Sequence, residues 1–265
     1  MKSYEIFDEE KNIAIGILLY YEKEKNFIIE LQDNLDEWSA PLLFTNYVNN
    51  GIFTVPREIS FLWVKERIIP SGRQNISSIL KNHHLQEYDE MAFLELSHGR
   101  CSQDYLFIKK TDILPDYIIR RQRHNLTECT VLDNNSILCF FADDTIRKVQ
   151  IESLTHTHDI NKILTNDALF NSCKVGTGGY SITFNDSIDI PSSELYKVGT
   201  KIPLSPKDFL AFVRSNLLDT TQCCELLECT RQNLSYMIKQ EQLSPVKNNV
   251  KGNLFSKGDV IKNMW

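Results

Sequence analysis

Between Thr230 and Lys239 the chain reads "TRQNLSYMIK", and the polar residues there share one kind of chemistry. Arg231, Gln232, Asn233 and Ser235 are planar or hydroxyl donors and acceptors of the kind that match the edges of bases. Thr230, Tyr236 and Lys239 can hydrogen-bond or neutralise a phosphate oxygen. Only Leu234, Met237 and Ile238 in this stretch suit a core. Further on, "KNNVKGN" adds Lys247 and Lys251, two cations placed to hold phosphate. The elements needed to position such a set are a short helix with one buried stripe, a second helix beneath it and a hairpin beside it.

Other chemical groupings are weaker. "GTGGY" at 176–180 lacks the helix that a phosphate loop must open, because the next residues, "SITFN", read as strand. It is expected to be a hairpin turn. "HTHD" at 156–159 offers two histidines at i and i+2 without a second ligand pair, so a polar loop is expected there. Cys223, Cys224 and Cys229 fall where two packed helices need small apolar residues, and they read as core thiols rather than a sensor. Leu234 and Ile238 are expected to pack against Cys224, Leu227 and Cys229, which leaves Cys224 and Cys229 buried and poorly reactive. His83, His84 and His98 stand at helix ends, and Trp63 lies on an apolar stripe. No serine–histidine–acid set, carboxylate pair or nucleotide fingerprint is present, so no catalytic residue, metal or cofactor is assigned and a non-enzyme is expected.

The whole chain sets the bounds. It has 265 residues, 42% hydrophobic and 24% charged, as in globular proteins, which is enough for two or three domains. The net charge of −6 excludes a uniformly basic nucleic-acid coat. The charge is unevenly spread, because the segment from Glu228 to Trp265 is net +3 and the remainder −9. A basic end on an acidic body is the asymmetry expected when one module touches nucleic acid. The N-terminus lacks an apolar signal core, and "IAIGILLYY" is too short to span a bilayer. Seven cysteines without a framework spacing read as reduced thiols, and a cytoplasmic protein is expected.

Three regions are expected. Residues 1–110 read as an α+β domain. In it, "NIAIGILLYY" and "FIIEL" form two strands, a helix opens at Pro56, and a second helix is capped by Ser71. A third, "YDEMAFLELSHG", stops at Gly99. Residues 111–206 read as a small α+β domain with β-hairpins, one turning at Asp143–Asp144. Residues 207–265 read helix, tight turn, helix, hairpin, helix, with Asp219 or Thr220 and then Thr230 as caps. Their own apolar set includes Phe209, Phe212, Leu226, Leu227, Leu234, Ile238, Leu243, Leu254, Phe255 and Ile261, so this segment is expected to fold by itself.

Three resemblances accompany these regions. "LLECTRQNLSYMIKQEQLSPVK" resembles the MerR-like and excisionase-like winged helix-turn-helix, and nearly all of 207–265 follows that order. The middle region resembles the domain-of-unknown-function family 2442 through Asp143–Asp144, Phe170, Gly178–Gly179, Ile182–Phe184, Ile188–Asp189 and Leu195–Tyr196. That family implies a fold and no activity. Trp63, Arg67, Pro70, Arg73, Asn75 and Asp104 resemble the opening segment of HipA-like serine kinases. The kinase body has no counterpart, so no kinase activity is implied. Together these imply a multidomain α+β protein whose C-terminal winged helix binds double-stranded DNA. It would act as a bacterial or phage regulator, as a homodimer, with a protein partner at the N-terminal domains and no membrane contact. The alternative is an interaction factor, inhibitor or antitoxin-like, whose acidic body binds a partner while the C-terminal module controls its own gene.

Overall fold

The computed structural model describes residues 1–132, 134–154, 159–203, 206–250 and 252–265. The chain is a mixture of helices and antiparallel sheets. It divides into two compact units, Met1–Ile119 and Arg120–Trp265. Among the described residues no helix is long and apolar enough to cross a membrane.

The first unit is built on β1 (Lys2–Asp8), β2 (Ile13–Tyr21) and β3 (Asn26–Leu31). It continues through α1 (Leu42–Asn49), β4 (Thr54–Val55), α2 (Arg57–Lys65), α3 (Ile76–Asn82), α4 (Glu90–Leu96) and β5 (Leu106–Thr111). The strands form one antiparallel sheet in the order β4-β3-β2-β1-β5. Tyr4, Ile6, Ile15, Leu18 and Ile29 pack from the sheet against Phe44, Trp63, Val64, Met91 and Leu94 of the helices. Gly16 leaves room for β3, since a Cβ there would stand 2.2 Å from the Glu30 carbonyl oxygen. The expected hairpin and the helix from Pro56 are present. The helix expected to begin at Ser71 begins only at Ile76, with Asn75 at its cap. Pro70 instead starts a turn, its carbonyl accepting the Arg73 N–H at 3.2 Å. Trp63, Arg67 and Asp104 come together, whereas Pro70, Arg73 and Asn75 belong to the turn before α3. Arg67 is buried, pairs with Asp104 and lies 3.9 Å over the Trp63 ring.

The second unit follows α5 (Asp116–Gln122), which straddles the boundary. Then come β6 (Leu126–Leu132), β7 (Ser136–Phe141), β8 (Ile146–Gln150), α6 (Ile160–Leu164), α7 (Asp167–Asn171), β9 (Lys174–Val175), β10 (Ser181–Phe184), β11 (Ile188–Pro191), α8 (Ser192–Val198) and β12 (Thr200–Lys201). Their sheets have the orders β12-β8-β7-β6 and β11-β10-β9. The "GTGGY" stretch is a 3₁₀ turn joining the antiparallel pair β9 and β10. A Cβ at Gly179 would fall 2.1 Å from the Leu126 carbonyl oxygen, so this glycine serves backbone approach. Of "HTHD", His156, Thr157 and His158 lie outside the described residues.

The C-terminal elements are α9 (Pro206–Asn216), β13 (Leu217–Leu218), α10 (Thr220–Leu227), α11 (Arg231–Lys239), β14 (Lys247–Val250), β15 (Gly252–Ser256) and α12 (Lys257–Lys262). They have a core of their own in Cys223, Leu227, Leu234, Leu243, Phe255 and Val260. They also belong to the same compact unit as β6 and β7. A register shift between Leu126 and Glu128 turns β6 so that Cys129 and Val131 pack on the apolar core of the middle region. Glu128 and Thr130 therefore face the other way. There the Glu128 carboxyl accepts the Ser256 hydroxyl and the Gly258 N–H, both at 2.5 Å. The Asn216 amide donates to the Thr130 hydroxyl at 2.8 Å. Phe140 of β7 stacks on Phe212 of α9 at 4.2 Å. The side chain of Phe209, expected in the module's core, lies outside the described residues, as do Leu204 and Ser205 of the connection.

Candidate nucleic-acid interface

Local sequence explains how α10 and α11 are set. Asp219 accepts the N–H groups of Thr221 and Gln222, and the Gln222 side chain returns the bond to the Asp219 N–H. This capping box fixes the start of α10. The helix ends at Glu228, which takes a left-handed conformation at φ 52°. The Cys229 N–H closes onto the Cys224 carbonyl at 3.0 Å. Thr230 then caps α11, its hydroxyl accepting the Asn233 N–H at 3.2 Å. Three residues thus separate the two helices, which makes the turn tight.

The buried stripe of α11 is Leu234, with Met237 and Ile238 half-buried beside it. At about 100° per residue, Gln232 and Tyr236 each stand roughly 160° from Leu234 around the helix axis, and Lys239 about 140°. These three crown the outer face, with Ser235 next to them, and all four are exposed. Asn233 is exposed on one flank and Arg231 on the other. Arg231 shares its side of the helix with Ile238, seven residues on and only ~20° away. Its guanidinium donates to the Thr221 hydroxyl of α10 at 3.2 Å. The structure therefore gathers Gln232, Ser235, Tyr236 and Lys239 on the outer face and turns Arg231 toward the neighbouring helix.

The hairpin stands beside α10. The Thr220 hydroxyl accepts the Asn253 N–H at 3.4 Å, and Leu217–Leu218 pairs with Phe255–Ser256. Lys247 is exposed at the start of β14, opposite Leu254, whereas Lys251 lies outside the described residues. Asp219, not Thr220, is the cap of α10, and Thr221 and Asn253 carry no signal of their own in the sequence.

All seven cysteines are free thiols. Cys223 is fully buried, and burial pushes its thiol up to about 12. Cys224 and Cys229 pack on the same core but are only half-buried, which corrects the expectation that these two are buried. Helix phase explains it, because Cys223 shares its side with Leu227, four residues on. Burial also raises the Cys224 thiol, followed by the charge of Cys229 beside it. Among the described residues no group of three metal-ligating side chains is assembled. His83 follows α3 and His98 stands just beyond α4, as expected. No family model matches the chain, and neither a curated protein nor a solved structure matches it.

Proposed function

We propose that the chain is a sequence-specific double-stranded-DNA-binding protein, a transcriptional regulator of the bacterial or phage kind, with residues 207–265 forming a winged helix-turn-helix of the MerR-like and excisionase-like type. The observation that carries this reading is the outer face of α11. Gln232, Ser235, Tyr236 and Lys239 stand exposed on a helix whose opposite side is buried. Such a face suits the major groove, where amide and hydroxyl groups meet base edges. Lys247 on the flanking hairpin suits phosphate. One module of this size covers little DNA, so the working form is a homodimer on paired half-sites.

The test is fluorescence anisotropy of the full chain on its own promoter fragment across a salt series. Binding should weaken with salt, at about 0.9 in log–log slope per phosphate neutralised, and should favour the promoter over scrambled duplex. Salt-independent or absent binding refutes the reading. A second reading, the protein-interaction factor, draws on the first unit. Trp38 is 80% exposed on a turn that Asp36 ties to the N–H groups of Trp38 and Ser39, and Leu42, the first residue of α1, is 94% exposed. Rigidly presented apolar side chains amid exposed Asp33, Asp36 and Glu37 suit a partner with a basic-rimmed pocket.

A further inference from the structure

We propose that Arg231 and Thr221 together form a seat for a single DNA backbone phosphodiester, so that Arg231 holds phosphate and does not read a base. The inference rests on the DNA-binding reading above and assigns one subsite within it. Three observations lead there. The first is position, since Arg231 lies on the side of α11 that carries half-buried Ile238 and faces α10, away from the crown of Gln232 and Tyr236. In helix-turn-helix docking the first helix crosses the sugar–phosphate backbone while the second lies in the groove. A side chain bridging the two helices therefore lies beside the strand.

The second is donor content. The Thr221 hydroxyl accepts one guanidinium N–H and keeps its own hydrogen to donate, and the guanidinium has further N–H groups left over. Both residues are exposed, so the pair offers donors to solvent. The ligand chemistry that fits is an anion with several acceptor oxygens.

The third is charge. Among the described residues Arg231 has no ion-pair partner, whereas Arg67 pairs with Asp104 and Arg100 with Glu9. The nearest capping carboxylate, Asp219, is occupied with the N–H groups of Thr221 and Gln222 at 2.8 and 2.9 Å. Glu225 lies one turn beyond Thr221 and is exposed, without a bond to Arg231.

The experiment compares the full-length protein with Arg231→Ala, Arg231→Lys, Thr221→Val and Gln232→Ala on the promoter fragment and on scrambled duplex, across a salt series. Each variant is first checked for an unchanged thermal transition. Arg231→Ala should weaken both duplexes by the same factor and lower the salt slope by about 0.9, one phosphate's worth. Arg231→Lys should keep the slope. Thr221→Val should weaken both duplexes by a common factor with the slope kept. Gln232→Ala should weaken the promoter alone. Replacing one linkage at a time with neutral methylphosphonate should reveal a position where wild type and Arg231→Ala bind equally well. If Arg231→Ala loses affinity only on the promoter, and changing one base pair removes the difference, Arg231 reads a base and the phosphate seat is wrong while DNA binding stands. If wild type binds neither duplex in a salt-dependent way, both readings fall together.

Discussion

Gly258 offers a sharp test of how the C-terminal helices are held. It is buried near the start of α12, and its N–H donates to the Glu128 carboxyl at 2.5 Å. Its φ is not positive, so the backbone does not demand glycine. On an exposed helix, Gly→Ala would stabilise by about 1 kcal/mol. Here an added Cβ would stand 2.5 Å from Glu128 Oε1, 2.6 Å from Cγ and 2.8 Å from Cδ. Glu128 is itself only 6% exposed, so it has little room to retreat. Displacing it costs a hydrogen bond to a carboxyl, about 1.5–3 kcal/mol, and overpacking adds about 1–3 kcal/mol. After the helix-propensity gain, Gly258→Ala should destabilise the second unit by about 1.5–5 kcal/mol. At about 2–4 °C per kcal/mol that is a fall of roughly 3–20 °C, read by differential scanning calorimetry on the full chain. Adding Glu128→Ala should make the Gly258→Ala step much smaller, because the clash is gone. An unchanged or raised Tm for the single variant would refute the reasoning.

Burial raises the Glu128 carboxyl above its ordinary 4.5, with the Ser256 and Gly258 bonds opposing, Asp259 adding and Lys262 subtracting. Its contribution to stability is therefore full below that ordinary value and lost as pH rises through the raised one; Glu128→Gln should remove this part of the pH dependence of unfolding, measured by denaturant titration. Cys223 should resist a thiol reagent at pH 8 until unfolding while the half-buried Cys224 and Cys229 are labelled before it, as mass spectrometry of the labelled protein would show. Leu234→Ala should cost about 2–5 kcal/mol and abolish DNA binding through loss of the core, whereas Gln232→Ala should leave stability within about 0.5 kcal/mol and weaken the promoter complex by about 1–3 kcal/mol.

What sequence revealed and what it hid both have physical causes. The pair β2 and β3 was legible because an apolar run, a charged turn and a second apolar run are local signals. The caps Asp219 and Thr230 and the stripe of α11 were legible for the same reason. β1 and β5 were not recognised, since "KSYEIFD" and "LFIKKT" carry charges at their ends and gain their neighbours from distant sequence. β6, "LTECTVL", hid its role because polar residues at alternate positions look solvent-facing, yet Glu128 and Thr130 are buried. Only tertiary contacts with Ser256, Gly258 and Asn216 explain them. Within the site, residue types were legible but azimuth was not weighed. Arg231 was read by its chemistry as a base reader, while its place beside Ile238 turns it toward Thr221.

The two-sided commitment of β6 bears on how this protein opens and how its parts can be exchanged. Slow amide exchange in the C-terminal helices and in β6 should share one opening free energy, because the strand cannot leave one core without disturbing the other. A graft of residues 207–265 onto another body would leave Asn216 and the start of α12 without their hydrogen-bond partners. The body left behind would expose Phe140 together with two polar groups spaced to fit only this helix pair. Substitutions at 128 and 258 are thus tied to each other, each setting the room the other side chain has.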